Sequence, residues 1–206
     1  MLRNYVKFFN YANTGRKVIK KSSKSFYSKK NESLQIISTK KLVMKIGILS
    51  DTHGFIHPKI FDFFAQCDEV WHAGDMVSTD ILEQLSTITK VRGVYGNCDD
   101  WDVRKKYKEV EVFKCEKHTV FLKHIIGNPR YYDPVVLSLI KKAKATIVVA
   151  GHSHILQIIN DAKNGWLFIN PGGGGKFGQH THITFIRFDI KGTDITNMEV
   201  YDEVKS

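Results

Sequence analysis

Five short apolar stretches, each ending at or just before a His, Asp or Asn residue, constrain the fold of this 206-residue chain most strongly. A short apolar run bounded by turn residues is typical of a buried strand. The stretches are Met44–Ser50, Glu69–His72, Lys90–Tyr95, Thr119–His124 and Ala145–Ala150. Helical segments separate the first three. This alternation of strand, loop and helix predicts an α/β fold in which crossover helices connect the strands.

Three helices and several hairpins complete the predicted elements. Pro58 and Pro134 have the fixed φ angle that suits the first turn of a helix, and Asp133, Ser78 or Thr79 can cap a helix start. The helices are expected at Pro58–Ala65, from Ser78 or Thr79 to Leu85, and from Pro134 to about Lys144. Further strands are expected at Glu109–Cys115, Leu156–Asn160, Trp166–Ile169, Ile183–Ile190 and Asn197–Tyr201. The turns between them include Asn164-Gly165, which suits a hairpin loop.

The net charge of +10 comes from the beginning of the chain. Residues 1–43 contain eleven Lys or Arg and a single acidic residue, Glu32, whereas the rest of the chain has equal numbers of basic and acidic side chains. We interpret 1–43 as a basic, disordered extension and 44–206 as the folded domain. The extension could be a translated segment upstream of a true start at Met44, an organelle transit peptide, or a basic arm that touches nucleic acid or membrane. The neutral remainder argues against nucleic acid as the main partner.

The cysteines and the apolar runs bear on location. Cys67, Cys98 and Cys115 are odd in number and form no CxxC pair, so they indicate neither a disulfide framework nor a zinc ribbon. A reducing cytoplasm is the simplest compartment, with organelle import if the extension is a transit peptide. No apolar run has the roughly 18 residues that a transmembrane helix needs, so no membrane association is expected.

The residues at the predicted strand ends form a set of metal-ligand types. The candidates are Asp51, His53, Asp75, Asn97, His124, His152 and His154. Ligands of an open α/β sheet bind beyond the carboxyl ends of its strands, where all of these residues are expected. Alternate residues of an extended segment point the same way, so Asp51-Thr52-His53 and His152-Ser153-His154 should each offer two side chains to one point. Each motif alone is common by chance, but five in order favour a metal site.

The number and chemistry of these donors predict two divalent ions. Seven ligands exceed what one tetrahedral zinc ion takes, and two ions that share a bridging carboxylate would use them all. Nitrogen and oxygen donors without thiolate suit Mn²⁺, Fe, Co²⁺, Ni²⁺ or Zn²⁺. Of these we expect Mn²⁺.

In this order the motifs resemble those of the calcineurin-like metallophosphoesterases. They read Asp51-Thr52-His53, Gly74-Asp75, Gly96-Asn97-Cys98-Asp99, His124 and Gly151-His152-Ser153-His154. The short length and Asn170-Pro171-Gly172 resemble the small YfcE-type phosphodiesterases of that family. The resemblance covers Met44 to about Glu203 and implies two facing mixed β-sheets flanked by helices.

The resemblance also implies roles for the matching residues. One metal would be held by Asp51, His53, Asp75 and His154. The other would be held by Asp75, Asn97, His124 and His152, with Asp75 bridging. A hydroxide between the metals would attack phosphorus in line, and Cys98 would lie with Asp75, Asn97 and His124 at the reacting centre.

Two departures from the family pattern bear on substrate and site. Many relatives have His after the Asn, where it can protonate the leaving oxygen, whereas this chain has Cys98, as the YfcE-type branch does. An ordinary thiol, with a pKa near roughly 8.5, is a poor proton donor at neutral pH, which favours phosphodiesters over unactivated monoesters. Alternatively, Cys98 only fills space. Relatives often continue His-Gly after the ligand His, but here His124-Ile125-Ile126 follows, so His124 is the least secure ligand.

Other residues have smaller predicted roles. Asp99 could orient a neighbouring ligand, and His180 or His182 could border the substrate pocket. His57, His72 and His118 are expected at the surface or behind the ligands. The backbone at 172–175 could approach phosphate or form a loose turn, and Trp71, Trp101 and Trp166 are expected in the core or at its rim.

These features predict a metal-dependent phosphodiesterase with a small phosphoester substrate, as a monomer or a homo-oligomer. Two alternatives stay open. A scaffold of the same fold without catalysis is expected to lose metal-binding His residues, and none is missing here. A nuclease is disfavoured by the neutral folded part and by the lack of a second domain.

Overall fold

A computed structural model describes residues 43–205, so the predictions for the basic extension lie outside the described residues except for the last position. The strands are β1 (Met44–Leu49), β2 (Glu69–His72), β3 (Lys90–Gly93), β4 (Val110–Cys115), β5 (His118–Lys123), β6 (Gly127–Asn128), β7 (Tyr131–Tyr132), β8 (Ile147–Val149), β9 (Leu156–Asp161), β10 (Trp166–Pro171), β11 (His182–Lys191) and β12 (Asp194–Val204). The helices are α1 (Lys59–Phe64), α2 (Asp80–Ser86), α3 (Trp101–Lys106) and α4 (Pro134–Ala143). None of the described helices is long and apolar enough to cross a membrane.

The first sheet has the strand order β12-β11-β1-β2-β3. Strands β1, β2 and β3 run parallel, and helices α1 and α2 connect them as predicted. Strand β11 pairs antiparallel with β1 on one side and with β12 on the other. The sheet is therefore mixed, and the carboxyl ends of its three parallel strands lie side by side.

The second sheet has the order β4-β5-β8-β10-β9 and is also mixed. Strands β5, β8 and β10 are parallel, whereas β4 and β9 pair antiparallel with β5 and β10 at the two edges. The predicted hairpins β4–β5 and β9–β10 are confirmed.

The two sheets face each other across the main apolar core. Buried side chains of both sheets share one cluster, with Ile46, Ile48 and Phe188 from the first sheet and Leu122 and Val149 from the second. Alternation along each strand places every second side chain in this interface. The fold predicted from the family resemblance, two facing mixed sheets flanked by helices, is confirmed.

Helices cover the outer face of each sheet. Phe64 of α1 and Leu82 of α2 pack with Leu49 and Val70 on the first sheet. Ile140 of α4 packs with Phe168 and other apolar residues on the second. The result is a layered α/β/β/α arrangement in which the central parallel strands, such as β2 and β8, are buried on both faces.

The helix caps follow the sequence only in part. The Asp133 carboxylate accepts hydrogen bonds from the N–H groups of Val135 and Val136, which confirms it as the cap of α4. Thr79 occupies the cap position of α2 but makes no side-chain capping bond to the backbone. Its hydroxyl donates instead to the carboxylate of Glu83, one turn further along the helix.

The prediction missed α3 and the small β6–β7 hairpin. Asp100 caps α3 by accepting a hydrogen bond from the Val103 N–H. Val103 is the single buried residue of this helix, and Trp101 is 76% exposed. One buried position gives no apolar period to recognise. Strand β12 was predicted too short, because one of its faces is exposed and polar.

Trp71 and Trp101 offer a matched test of the core. Trp71 is fully buried between the sheets and packs edge-on against Phe113 and Phe188. We expect Trp71→Ala to lower the free energy of unfolding by about 3–5 kcal/mol, because a large aromatic side chain leaves a cavity that the two sheets cannot close. Urea unfolding would measure this. The exposed control Trp101→Ala should change stability by less than about 0.5 kcal/mol, and equal losses would contradict this description of the core.

Candidate metal centre

All seven predicted ligands lie together at one end of the two sheets. Those that follow β1, β2 and β3 belong to the first sheet, and those that follow β5 and β8 belong to the second. They are Asp51, His53, Asp75 and Asn97 from the first sheet, and His124, His152 and His154 from the second. The backbone N–H of His152 donates to both oxygens of Asp51, at 3.2 and 3.0 Å, which joins the two sheets through the site.

The donor atoms form two main groups. Asp51, His53 and His154 offer atoms within 4.8 Å of one another, and His154 Nε2 lies 3.2 Å from Asp51 Oδ1 and 3.3 Å from His53 Nε2. These are the residues that the family resemblance assigns to one metal, apart from Asp75.

The second group is Asp75, His124 and His152, with Asn97 beside them. His124 Nε2 lies 3.2 Å from Asp75 Oδ2 and 3.2 Å from Asn97 Oδ1. Asp75 also forms a group with His53 and Cys98, so its carboxylate faces both metal positions. This placement suits the bridging role that the resemblance implies for it.

His124 is well oriented as a metal ligand despite its unusual sequence context. Its Nδ1 lies 2.7 Å from the carbonyl oxygen of Ala73, which can only accept a hydrogen bond. Nδ1 therefore carries the proton, and Nε2 keeps its lone pair towards Asp75 and Asn97. The side chain is also buried, with 2% exposure of the residue, so it has little freedom to turn away.

His180 holds the orientation of His154 in a similar way. His180 Nε2 lies 3.0 Å from the Gly175 carbonyl oxygen and donates to it, so its Nδ1 is an acceptor. The Nδ1–H of His154 donates to that acceptor at 2.8 Å. His154 Nε2 is thereby left as a lone pair that faces Asp51. Of the two histidines predicted to border the pocket, His180 contacts the site, whereas His182 forms an ion pair with Asp202.

The backbone of the ligand loops is left-handed, which corrects one step of the sequence argument. The motifs were expected to be extended, but Asp51 and His53 have φ angles of 54° and 47°, and His152 and His154 have 69° and 55°. Asp75 has 56°. Such angles are unfavourable for residues other than glycine and persist only where surrounding contacts hold them, as at functional sites.

Backbone hydrogen bonds between neighbouring loops supply those contacts. Asp51 N–H donates to the Gly74 carbonyl and His53 N–H donates to the Asp75 carbonyl, each at 2.9 Å. The parallel pairing of β1 and β2 thus continues into their loops after the strands have ended. The common direction of Asp51 and His53 comes from this pairing rather than from an extended strand.

Asp99 ties the second and third loops together. Its carboxylate accepts from the N–H groups of Asp75, Val77 and Gly96, at 3.0, 2.6 and 2.6 Å. Arg104 of α3 braces the same loop by donating to the carbonyl oxygens of Gly96, Asn97 and Asp99. The predicted orienting role of Asp99 agrees with these contacts, whereas Arg104 was missed because α3 was missed.

Asn170 performs the same task for the loop of His152 and His154. Its side-chain amide donates to the Gly151 carbonyl at 2.7 Å and to Ser153 Oγ at 3.1 Å, and its oxygen accepts from the Gly172 N–H. The sequence singled out Asn170-Pro171-Gly172 through the family resemblance alone. The backbone that follows is not a loose turn, because the N–H groups of Gly174 and Gly175 donate to Ser50 and Asp51 carbonyls.

Glycines beside the ligands are required by close packing. A side chain at Gly96 would collide with Asp75 Oδ1, and one at Gly151 would collide with Ser50 Oγ. His72 lies beneath the site, where its Nδ1 accepts from the Gly74 N–H and its Nε2 donates to Thr52 Oγ1. Burial lowers the pKa of His72 to about 4, so it stays neutral in this role.

The electrostatics of the second group favour a bound charge. Burial alone would raise the pKa of Asp75, but the hydrogen bond and charge of His124 and the N–H of Cys98 hold it well below its usual value. Burial opposes protonation of His124, yet Asp75 and Asp51 raise its pKa. A cation at this position would take the place of that proton. Cys98 is exposed at the mouth of the site, where partial desolvation and the Asp75 carboxylate raise its pKa to about 11.

The donor set fits two divalent cations. Asp51 and Asp75 are almost fully buried, at 0% and 2% exposure, and their ion-pair partners among the described residues are histidines. Two buried carboxylates without a permanent cation are unfavourable, and divalent ions would neutralise them. Carboxylate, amide and imidazole donors suit the borderline metals from Mn²⁺ to Zn²⁺.

Comparison with known proteins agrees with this chemistry. Residues 44–193 match the model of the calcineurin-like phosphoesterase superfamily domain. A probable metallophosphoesterase from Methanocaldococcus jannaschii is 32% identical over 136 residues, which are 63% of this chain and 67% of the relative. A phosphodiesterase from the same organism is 28% identical over 144 residues, 63% of this chain and 83% of the relative.

A solved structure shows the same fold. Vacuolar protein sorting 29 from Cryptosporidium parvum superposes with a TM-score of 0.64 at 20% identity, over 80% of this chain and 100% of that one. The chain belongs to the calcineurin-like phosphoesterase superfamily.

The contacts of His180 generate a prediction about metal affinity. We expect His180→Ala to weaken Mn²⁺ binding by roughly 10–100-fold, because His154 loses the acceptor that fixes its tautomer. Isothermal titration calorimetry with MnCl₂ on the full chain measures this affinity directly. His182→Ala is the matched control, since His182 pairs with Asp202 and does not contact a proposed ligand. This variant should bind Mn²⁺ with the affinity of the wild type. Unchanged affinity in His180→Ala would show that His154 needs no such support.

Proposed function

We propose that this protein is a dinuclear metal-dependent phosphodiesterase that acts on small phosphoesters. The observation that carries the proposal is a pair of neighbouring donor groups. Asp51, His53 and His154 form one, Asp75, His124 and His152 form the other, and Asp75 also groups with His53. Both groups offer nitrogen and oxygen donors, and the Asp75 carboxylate lies within 4.8 Å of donor atoms of His53, His124 and His152. Membership of the phosphoesterase superfamily, and a relative named as a phosphodiesterase, support the choice of phosphorus chemistry.

The proposed ligand sets are those that the family pattern suggests. Asp51, His53 and His154 would hold one ion, Asn97, His124 and His152 the other, and Asp75 both. Two divalent cations at these positions would lower the pKa of the attacking water and neutralise charge on the phosphoryl oxygens. We favour Mn²⁺, because the set has no thiolate and includes oxygen donors from two carboxylates and an amide.

The protein's own part is to keep the donors rigid. The hydrogen bonds of His124 to Ala73 and of His154 to His180 fix which imidazole nitrogen faces the substrate side. The left-handed backbone at Asp51 and Asp75 turns the chain directly after each strand, so that their carboxylates point into the site. A preorganised set of this kind does not have to rearrange when charge develops during phosphoryl transfer.

Cys98 favours diesters over monoesters. It lies beside Asp75 at the open side of the site, and its N–H donates to Asp75 Oδ1 at 2.8 Å. Asn97 Nδ2 donates to its sulfur at 3.2 Å, so the thiol is held next to a proposed ligand. A thiol is a weaker proton donor than imidazolium, so hydrolysis should depend on substrates whose leaving groups need little protonation.

The charge distribution favours a small substrate over a nucleic acid. The acidic and basic residues after position 43 are balanced, and a nuclease that tracks a polyanion would be expected to present an excess of positive charge. The free cysteines Cys67, Cys98 and Cys115 suit a reducing compartment, so we also propose the cytoplasm.

A scaffold without catalysis is the second candidate. The fold similarity to vacuolar protein sorting 29 is the observation that favours it. Against it stands the full set of donors, of which Asp51, His124 and His154 have supporting hydrogen bonds from other loops that a binding scaffold would not need. A metal-dependent turnover assay separates the two.

We predict Mn²⁺-dependent hydrolysis of bis-p-nitrophenyl phosphate that is faster than hydrolysis of p-nitrophenyl phosphate. Asp75→Ala should lower the turnover of the diester by at least about 100-fold, because both metal positions lose a ligand. Asp62→Ala is the control, since this carboxylate lies on α1 with 82% of its side chain exposed. Release of p-nitrophenolate with Mn²⁺, and with chelator, gives the rates. No metal-dependent turnover of either ester would overturn the enzyme proposal in favour of the scaffold.

A Cys98→His substitution tests the leaving-group argument. An imidazole at the mouth of the site can protonate a leaving oxygen near neutral pH, since its ordinary pKa is about 6.5. We expect the variant to gain monoesterase activity relative to diesterase activity, by about tenfold or more. A Cys98→Ser variant controls for loss of the thiol without supplying an acid. An unchanged ratio in Cys98→His would indicate that Cys98 only fills space.

A further inference from the structure

A cleft of about 220 Å³ opens next to the proposed metal centre, on the side of the second sheet. Its walls are the segment after β5, the loop after β8 and the adjoining strand β9. His152 lines the cleft and also belongs to the donor group of Asp75 and His124. The cleft is therefore continuous with the position where a phosphoryl group would be held.

The lining is apolar with a few neutral polar groups. Ile125, Ile126, Ile155 and Phe168 supply the apolar surface, and Asn128, Ser153, Gln157 and Asn170 supply amides and a hydroxyl. Among these described lining residues there is no Asp, Glu, Lys or Arg. Such a lining suits an uncharged group that carries apolar surface and can accept or donate a hydrogen bond at its edge.

Two isoleucines at the rim are conspicuous for their exposure. Ile125 is 41% exposed and Ile155 is 55% exposed, while Ile126 and Phe168 form the buried floor. Apolar side chains that line an open cleft gain free energy when a ligand covers them. Ile125 stands where many relatives have glycine after the ligand His, so this chain carries a side chain at a position that the family pattern leaves bare.

Position relative to Cys98 indicates which part of a substrate the cleft would receive. Cys98 groups with His53 and Asp75, and it does not line the cleft. Many relatives have His at this position, where it can protonate the leaving oxygen. If the leaving group departs towards Cys98, the other substituents of phosphorus are directed elsewhere, and the cleft beside His152 is open to one of them.

The volume of the cleft limits the size of the group that it can bind. A cavity of about 150 Å³ is known to hold a benzene molecule, so a cleft of about 220 Å³ accommodates one ring system. It is too small for an oligonucleotide or a folded partner segment, whose sites are several times larger.

We propose that this cleft binds the retained alcohol arm of the phosphodiester, and that this arm is uncharged and ring-sized, such as an aryl or nucleoside group. The inference rests on the proposed function, because it assumes that phosphorus is held at the donor groups around Asp75. It adds a specificity determinant, Ile125 with Ile155, and a substrate class.

Binding of phosphonates tests the cleft without requiring turnover. The full chain, loaded with Mn²⁺, is titrated with phenylphosphonate and with methylphosphonate by calorimetry. We expect the wild type to prefer the phenyl compound by at least about tenfold, because even one methylene in an apolar pocket is worth about that much. In the Ile125→Thr/Ile155→Thr variant the preference should fall towards one, because threonine keeps the branch at Cβ but replaces the ethyl group of isoleucine with a hydroxyl.

Ile159→Thr is the matched control. Ile159 lies on β9, as the cleft residue Gln157 does, is 37% exposed and does not line the cleft. It should retain the phenyl preference of the wild type. Circular dichroism shows whether each variant is folded. If the double variant is unfolded, the single variants Ile125→Thr and Ile155→Thr are used in its place.

The same proteins are assayed with phenyl 4-nitrophenyl phosphate and methyl 4-nitrophenyl phosphate, which share a leaving group and differ in the retained arm. A phenyl preference in kcat/KM that disappears in the double variant and persists in Ile159→Thr supports the proposal. Metal-dependent turnover without any phenyl preference in the wild type, or with the same preference in the double variant, overturns the cleft and leaves the proposed function standing. A phenyl preference in binding without turnover of either diester overturns the proposed function instead.

Discussion

Two carboxylates buried at one end of the sandwich are the constraint on which the surrounding structure depends. Asp51 and Asp75 are withdrawn from water, and an uncompensated buried charge is strongly destabilising. The protein surrounds them with backbone N–H groups, from His152 to Asp51 and from Cys98 to Asp75, and with imidazoles from the opposite sheet. Hydrogen bonds of this kind reduce the penalty but do not remove the charge. The divalent cations of the proposed function would complete the balance at this end of the fold.

The same constraint explains why several loops are strained and braced at once. Five of the seven proposed ligands have positive φ angles, a conformation that turns each side chain inwards directly after its strand. Each unfavourable angle of this kind requires compensation of the order of 1 kcal/mol or more. The compensation is visible in bonds between loops and in three side chains, Asp99, Arg104 and Asn170, whose polar atoms are used on loop backbone. The rigidity of the site thus comes from the segments behind the ligands, and the ligands themselves can stay free for a bound ion.

The sequence was a good guide to the sheets and to which residues meet, and a poor guide to how they are held. Apolar runs such as those of β1 and β8 end at a ligand motif, so strand ends and site residues could be read from one pattern. The left-handed backbone at Asp51 and His53 could not, because it results from hydrogen bonds to a loop that is distant in sequence. Arg104 was missed because α3 buries a single side chain, and a helix with one buried residue shows no apolar periodicity in its sequence. The role of His180 depends on a contact with His154 across 26 residues, and its sequence neighbourhood gave only a weak indication.

Separation of metal binding from substrate choice follows from this architecture. The proposed metal donors come from five loops, and hydrogen bonds join neighbouring loops, so a change at one of them would disturb those beside it. Cys98 and Ile125 stand next to proposed donors but are not proposed metal ligands. Cys98 groups with His53 and Asp75, whereas Ile125 lines the cleft. Substitutions at such positions can alter the leaving group or the retained arm that fits, while the donor groups keep their geometry. In this protein both positions depart from the pattern that many relatives show. Under the proposed function, Cys98 would select the leaving group and Ile125 the second arm of a diester. A fold of this type can therefore change substrates at the rim of its site without rebuilding the buried carboxylates at its centre.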